Sequence, residues 1–405
     1  MDVHPKPGEL GFSTSRLERI NTWMQKYIDD GKLPGATTLV ARHGKIAFCE
    51  TMGYGDLEEK KPLARDSILR FYSMSKPITA VAVMMLYEQG LFQLDEPLSA
   101  FIPSFQSMQV YQSGVGPNMK TEPAATPMTI HHLLTHTSGL TYGVENEGGV
   151  PGMYAEQRTD FNPDDGPLAA AVDRLAEIPL AFEPGSRWEY SVSFDVLGRL
   201  VEVISGKPLD LFLKESIFDP LGMNDTGFFV PESKLDRFVS LYQCIPETRL
   251  SLMESAAGSP LVGNVETLSG GGGLVSTLDD YFCFTEMLRN KGTFNGQRLL
   301  GKKSVELMTC NHLPGDLADM GQPTFCETTY EGIGFGLGMS VVIDPAKSKI
   351  LGTPGEYAWG GYASTAFWVD PVEDMTVIFL TQLIPSGAYP IRRELRVLTY
   401  QALID

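Results

Sequence analysis

The chain has 405 residues, is 43% apolar, and sets 32 Lys and Arg against 50 Asp and Glu, for a formal net charge of −18. This length and apolar content predict one large or two intimately packed domains and exclude intrinsic disorder, and so acidic a surface repels nucleic acid and anionic membranes. The first residues lack the basic-then-apolar pattern of a signal peptide, and no apolar run approaches the roughly 18 residues of a membrane helix, so the expected location is the cytoplasm.

The predicted elements begin with an amphipathic helix over residues 15–30. Leu17, Ile20, Met24, Tyr27 and Ile28 recur at helical spacing, Ser13 or Ser15 can cap the start, and Gly31 stops it. Residues 36–42 and 45–52 read as two strands joined by a His43-Gly44 turn. The middle of the chain is mostly helical, with helices expected at 76–89, 129–136, 193–205 and 208–217. Irregular stretches at 105–128 and 141–166, rich in Gly, Pro and Asn, separate them and suit the walls of a substrate pocket. Towards the end, 337–344, 364–369 and 375–383 read as strands, Asp370–Asp374 as a hairpin turn, and 390–404 as a helix with Pro390 in its first turn. The fold class expected is α/β (α+β): an antiparallel sheet built from both chain ends, flanked by terminal helices, with an inserted, mostly helical domain. The sheet domain would span 1–85 and 180–405, and the helical domain 86–179. Five cysteines (Cys49, Cys244, Cys283, Cys310 and Cys326), odd in number and without a C-x-x-C, argue against a disulfide framework or a zinc cluster and read as buried free thiols.

Three stretches could carry chemistry. The first, Leu69-Arg-Phe-Tyr-Ser73-Met-Ser-Lys76-Pro77, holds the only S-x-x-K in the chain. Three residues is about one helical turn, so Ser73 and Lys76 share a face. A serine at a helix start sits in a positive field, and a buried lysine beside it can accept a proton. Alone the motif is weak, because a helix cap plus a surface lysine reads the same way. The second is Tyr190, in Trp188-Glu-Tyr190-Ser191-Val192, just before an amphipathic helix. A tyrosine held near a lysine cation can serve as a general base, but most of the 15 tyrosines are filler. The third is Trp359-Gly360-Gly361-Tyr362, two glycines at a strand start, where a backbone N–H could donate to an oxyanion. By itself it is a glycine turn before a buried strand.

Together, in this order and spacing, the three resemble the class C β-lactamase-like family. That family includes penicillin-binding D,D-peptidases and related esterases, with S-x-x-K, then Y-x-N or a variant, then K-T-G, H-x-G or W-G-G. Three further stretches look like its framework signatures: His132-Leu-Leu-Thr-His-Thr-Ser-Gly-Leu140, Pro220-Leu-Gly-Met-Asn-Asp-Thr226 and Gly270-Gly-Gly-Gly-Leu-Val-Ser-Thr277. Two departures point to the esterase branch, known as family VIII carboxylesterases. Trp359 stands where a β-lactamase has the lysine that holds the β-lactam carboxylate, and Val192 replaces the usual Asn.

The resemblance implies a serine carboxylesterase acting on short- to medium-chain esters. Ser73 would be the nucleophile, with Lys76 and Tyr190 sharing the base role. The backbone N–H groups of Ser73 and Tyr362 would form the oxyanion hole. Trp359, Gly360, Gly361, Tyr72 and Val192 would contact substrate, with Trp188 adding to an apolar wall. No cofactor or metal is implied, and the partner is a small-molecule ester, with neither nucleic acid nor membrane. Acyl transfer and β-lactamase or D,D-peptidase activity are the alternatives within the superfamily, and a non-catalytic scaffold is disfavoured by the intact Ser73, Lys76 and Tyr190. Among other chemistries, His132 and His136 have a metal-like spacing but no clear third ligand. No G-x-S-x-G elbow is present, and no G-K-[ST] follows Gly270–Gly273.

Overall fold

A computed structural model describes residues 2–4, 6–143, 148–245 and 249–405. Helix α1 (Thr14–Asp29) buries Leu17, Ile20, Met24 and Tyr27, the expected stripe, although no serine side chain caps its start. Strands Gly35–Arg42 and Lys45–Asp56 follow. His43 and Gly44 both have positive φ, at 54° and 72°, as a two-residue hairpin turn requires.

These strands join an eight-stranded sheet. Its order is Ile333–Phe335, Ser340–Val342, Tyr357–Gly360, Ala366–Asp370, Met375–Leu380, Gly35–Arg42, Lys45–Asp56, Lys61–Pro62. Each strand pairs antiparallel with its neighbours in this order. The seam between the chain ends pairs Thr37 with Leu380 and Arg42 with Met375. Both seam strands are buried along their whole length, which explains their near-continuous apolar runs. Alternation then sorts the side chains. Ala36, Val40, Val377, Phe379 and Trp368 face α1 and the C-terminal helix Ile391–Tyr400. Leu39, Ala41, Phe367, Ile378 and Leu380 face the larger core. Each fully buried side chain of this kind contributes about 1.5–3 kcal/mol.

The larger core contains α2 (Ser75–Glu88), α3 (Ile130–Leu134), α4 (Val150–Glu156), α5 (Leu168–Leu175) and α6 (Ser193–Ser205). Almost every residue of α2 is buried, so it is a central helix without a polar face. Several expected boundaries move. Residues 105–128 hold a hairpin, Gln109–Ser113 with Lys120–Pro123, instead of an irregular loop. The strand expected at 337–344 is only Ser340–Val342. The helix expected at 208–217 is Leu209–Leu213, widening to a π-helical turn over Lys214–Phe218. All five cysteines are free, but only Cys283 is buried, whereas Cys310 and Cys326 are exposed. Among the described residues no helix is long and apolar enough to cross a membrane.

Candidate active site

Ser73 lies in a single 3-10 turn, Tyr72–Met74, that feeds directly into α2. The turn is tight enough to force Tyr72 to φ 45°, a left-handed conformation that costs a non-glycine residue energy and is tolerated where the surroundings impose it. One turn on, Lys76 is fully buried. Its ammonium group has three donors and three acceptors: the Ser73 Oγ at 3.3 Å, the Tyr142 hydroxyl at 2.9 Å and the Gly271 carbonyl at 2.8 Å. The cation is therefore satisfied without a direct carboxylate partner.

Tyr190 approaches from the loop before α6 and donates to the Ser73 Oγ at 2.5 Å. Its ring lies 4.6 Å from the Lys76 ammonium, which favours the cation by its π-face. The bond brings the two oxygens within reach for a proton to pass between them. Tyr142, absent from the expected site, completes the group. Burial first, and the neighbouring Tyr190 second, push its hydroxyl well above the usual tyrosine range, so it stays protonated.

The glycine run at 270–273 explains how Lys76 is held. The Gly270 carbonyl accepts from Thr79 at 2.7 Å, and the Gly271 N–H donates to Asp195 Oδ1 at 3.0 Å. Asp195 also accepts from Ser269 at 2.5 Å. A Cβ at Gly271 would sit 2.4 Å from the Asp195 carboxylate, and one at Gly270 2.6 Å from the Phe194 carbonyl. Backbone leaves room for glycine alone at 270, and a side chain at 271 would displace the Asp195 carboxylate. Burial raises the Asp195 carboxyl to about 6, against the opposing pull of Lys76. Asp195 was missed in the sequence, although an acid inside the otherwise apolar Phe194–Leu197 run of α6 was a usable signal.

His136 is buried behind Tyr190, with ring centroids 5.0 Å apart. Its Nδ1 bonds the Ser191 hydroxyl at 3.0 Å, and burial together with the charge of Lys76 keeps it neutral. His132 instead caps its own helix with Thr129. Among the described residues no three His, Cys, Asp or Glu side chains converge as a metal site would need.

Ser73 and Tyr190 open into a cavity of about 340 Å³. Trp359, Gly360, Gly361 and Tyr362 line it, as do Phe325 and Tyr330, which carry no distinguishing sequence pattern. Trp359 packs 5.6 Å from Tyr190 and stacks with Phe325 at 6.4 Å. A Cβ on Gly361 would meet the Phe71 carbonyl at 2.4 Å, so this glycine allows the strand end to approach the nucleophile's turn. The Tyr362 amide donates no hydrogen bond among the described residues, and its side chain is 52% exposed. Three expected substrate contacts sit elsewhere. Val192 is wholly buried in the core beneath the Tyr190 loop, because it immediately precedes α6 and faces inward. Trp188 is buried too, stacked behind Tyr190 at 6.3 Å. Tyr72 is partly buried and packs edge-on against the Tyr362 ring at 5.9 Å, outside the cavity wall.

A Ser–Lys–Tyr cluster at the start of a buried helix, beside the end of an interior strand of an antiparallel sheet, defines a serine hydrolase of the penicillin-recognising type. Comparison with known proteins agrees. The β-lactamase family model matches residues 20–401, and the chain belongs to that family. It is 31% identical over 396 residues to esterase EstB of Burkholderia gladioli, covering 93% of this chain and 92% of that one. It is 29% identical over 375 residues to the lovastatin esterase of Penicillium rubens, covering 87% and 89%. The solved structure of EstCE1, described as a hydrolase with promiscuous acyltransferase activity, superposes with a TM-score of 0.77 at 28% identity, covering 96% of this chain and 99% of that one. These relatives place the chain in the esterase branch of the β-lactamase-like serine hydrolases.

Proposed function

We propose that this protein hydrolyses short- to medium-chain carboxylic esters through an acyl-enzyme on Ser73. The observation that carries this reading is the convergence of Lys76 and Tyr190 on the Ser73 Oγ at the mouth of an apolar, aromatic cavity. Ser73 attacks the ester carbonyl while Tyr190, reacting as the phenolate beside the Lys76 ammonium group, takes the Ser73 proton and becomes the neutral phenol. The backbone N–H groups of Ser73 and Tyr362 hold the tetrahedral oxyanion. Tyr190 returns the proton to the departing alcohol, and water, activated by the same pair, then releases the acid. EstCE1 is described as also transferring acyl groups. Transfer is the second reading here, since an alcohol in place of water yields an ester from the same intermediate.

Trp359 separates this activity from β-lactam hydrolysis. A β-lactam carboxylate meets an indole where related β-lactamases present an ammonium group, losing a contact worth about 1.5–3 kcal/mol. The kcat/KM for p-nitrophenyl butyrate should exceed that for nitrocefin by about 10–10²-fold, a factor of ten for each 1.36 kcal/mol. Faster turnover of nitrocefin overturns the esterase reading.

A further inference from the structure

Tyr190 has to present its hydroxyl to Ser73, yet its own backbone does little to hold it there. Residues 188–191 form neither helix nor strand, and the Tyr190 N–H donates no hydrogen bond among the described residues. The hold comes through its neighbours, and both lead to one residue. Glu189, immediately before Tyr190, donates its N–H to the His136 carbonyl at 2.9 Å. Ser191, immediately after it, bonds its hydroxyl to Nδ1 of the same histidine at 3.0 Å. The His136 ring itself packs against the Tyr190 ring, with centroids 5.0 Å apart.

The local backbone and a chain of serines make this grip possible. His136 follows α3 with φ at 55°, a left-handed conformation that a non-glycine residue keeps where its surroundings impose it. With it, the carbonyl and the ring of one residue both reach the 189–191 stretch. Behind the ring, the Leu140 N–H donates to the Ser138 Oγ at 3.2 Å. Ser138 and Ser193 lie 2.8 Å apart, as do Ser193 and Ser191. Among the described residues Ser193 is the one acceptor in reach of the Ser138 hydroxyl, so the protons point from Ser138 to Ser193, to Ser191, to Nδ1. Nδ1 therefore accepts and the ring proton sits on Nε2, which has no partner among the described residues and belongs to a ring surrounded by Trp188, Phe194 and Phe335. Burial first, and the Lys76 charge second, hold this imidazole well below the usual histidine range, so the accepting lone pair is kept.

Building on the reading of Tyr190 as the base, we propose that His136 is a positioning residue, whose carbonyl and Nδ1 clamp the two neighbours of Tyr190 and so set the distance from the phenol oxygen to the Ser73 Oγ. It touches neither substrate nor the reacting atoms, because neither His136 nor Ser191 lines the cavity. Its effect therefore falls on the proton transfer and not on substrate binding. A displacement of about 1 Å at such a step costs about 10²-fold in rate.

The test measures kcat and KM for p-nitrophenyl butyrate in the intact enzyme, with Tm and near-UV circular dichroism recording the folded fraction. Ser191→Ala, which removes one buried hydroxyl, should lower kcat of the folded enzyme by about 10–10²-fold and leave KM unchanged. His136→Leu, which keeps bulk but loses the acceptor, should lose as much. His136→Asn should recover most of the loss, because asparagine tolerates a left-handed φ and carries an acceptor close to the position of Nδ1. The decisive comparison is made in the Tyr190→Phe background. With the hydroxyl gone there is nothing left to position, so Ser191→Ala should cause no further loss of kcat there. An equal loss in that background, wild-type kcat in Ser191→Ala, a loss confined to KM or to the folded fraction, or a His136→Asn as impaired as His136→Leu overturns the clamp and leaves ester hydrolysis intact. Wild-type kcat in Tyr190→Phe alone overturns the base assignment, absence of hydrolysis in the wild type overturns the esterase reading, and the clamp falls with either.

Discussion

Two walls meet at Ser73, and they are made differently. The wall formed by α2, the Gly270–Gly273 run and α6 is directional. Lys76, Thr79, Asp195 and Ser269 spend their polar atoms on named partners at 2.5–3.3 Å, and at Gly270 the surrounding backbone leaves room for glycine alone. The wall formed by Trp359, Phe325, Tyr330 and Tyr362 is aromatic. There the Trp359 Nε1 is buried with no partner among the described residues. Proton transfer needs distances fixed within tenths of an ångström, which hydrogen bonds supply. Admission of an apolar substrate needs area and shape, which rings supply and which tolerates looser placement.

The contrast makes graded predictions. Ser73→Ala, on the directional side, should lower ester kcat by at least about 10⁴-fold with an unchanged Tm, since no other group can form the acyl-enzyme. Wild-type turnover in the purified variant would remove Ser73 from the chemistry. Lys76→Ala and Tyr190→Phe should each lower kcat by about 10²–10⁴-fold, and the double variant should lose little more than the worse single one, because the two groups move one proton. Multiplying losses would show that they act independently.

Asp195 gives a pH signature. Its folded-state value of about 6 lies above its ordinary 3.8, so the native state holds this proton more tightly than the unfolded chain. The resulting stability is fully present below about pH 3.8 and is lost as pH rises through about 6, a swing of about 3 kcal/mol at most. Asp195→Asn keeps an acceptor for Ser269 and Gly271 but cannot titrate. Wild-type Tm measured against this variant should therefore fall between pH 4 and pH 7. A constant difference across that range would show that the carboxyl is ionised throughout. The smallest effect is expected on the aromatic side. Phe325→Ala should cut kcat/KM about tenfold, mostly through KM, because it removes apolar contact shared by ground and transition states. A loss falling mainly on kcat would mean that this ring positions Tyr190.

The directional wall was largely legible in the sequence, the aromatic one much less so. Ser73, Lys76 and Tyr190 stand in ordered motifs whose spacing carries over into space, and the glycine run announced itself even though its task did not. Tyr142 was hidden because its contact with Lys76 crosses 66 residues of chain. Phe325 and Tyr330 lie in short strands and turns with no periodicity to read. Val192 follows the motif in sequence but is wholly buried just before α6, and a motif position does not say which way a side chain points. At the level of the fold, both chain ends joining one sheet followed from apolar runs at 36–42 and 375–383. The hairpin at 109–123 did not, since half of it is exposed and its strands lack an apolar face.

The seam between Gly35–Arg42 and Met375–Leu380 has a consequence for the order of events during synthesis. Thr37 waits for Leu380, its partner 343 positions later, so the central pairing of the sheet is among the most distant contacts the chain makes. A ribosome adds residues at about 5–20 per second, which leaves the first hairpin without its neighbour for tens of seconds. During that interval the Gly35–Arg42 strand, which the finished sheet buries on both faces, is an open edge able to pair with a strand of another chain. Folding speed and yield should therefore hang on how soon the last strands arrive, more than on anything near Ser73.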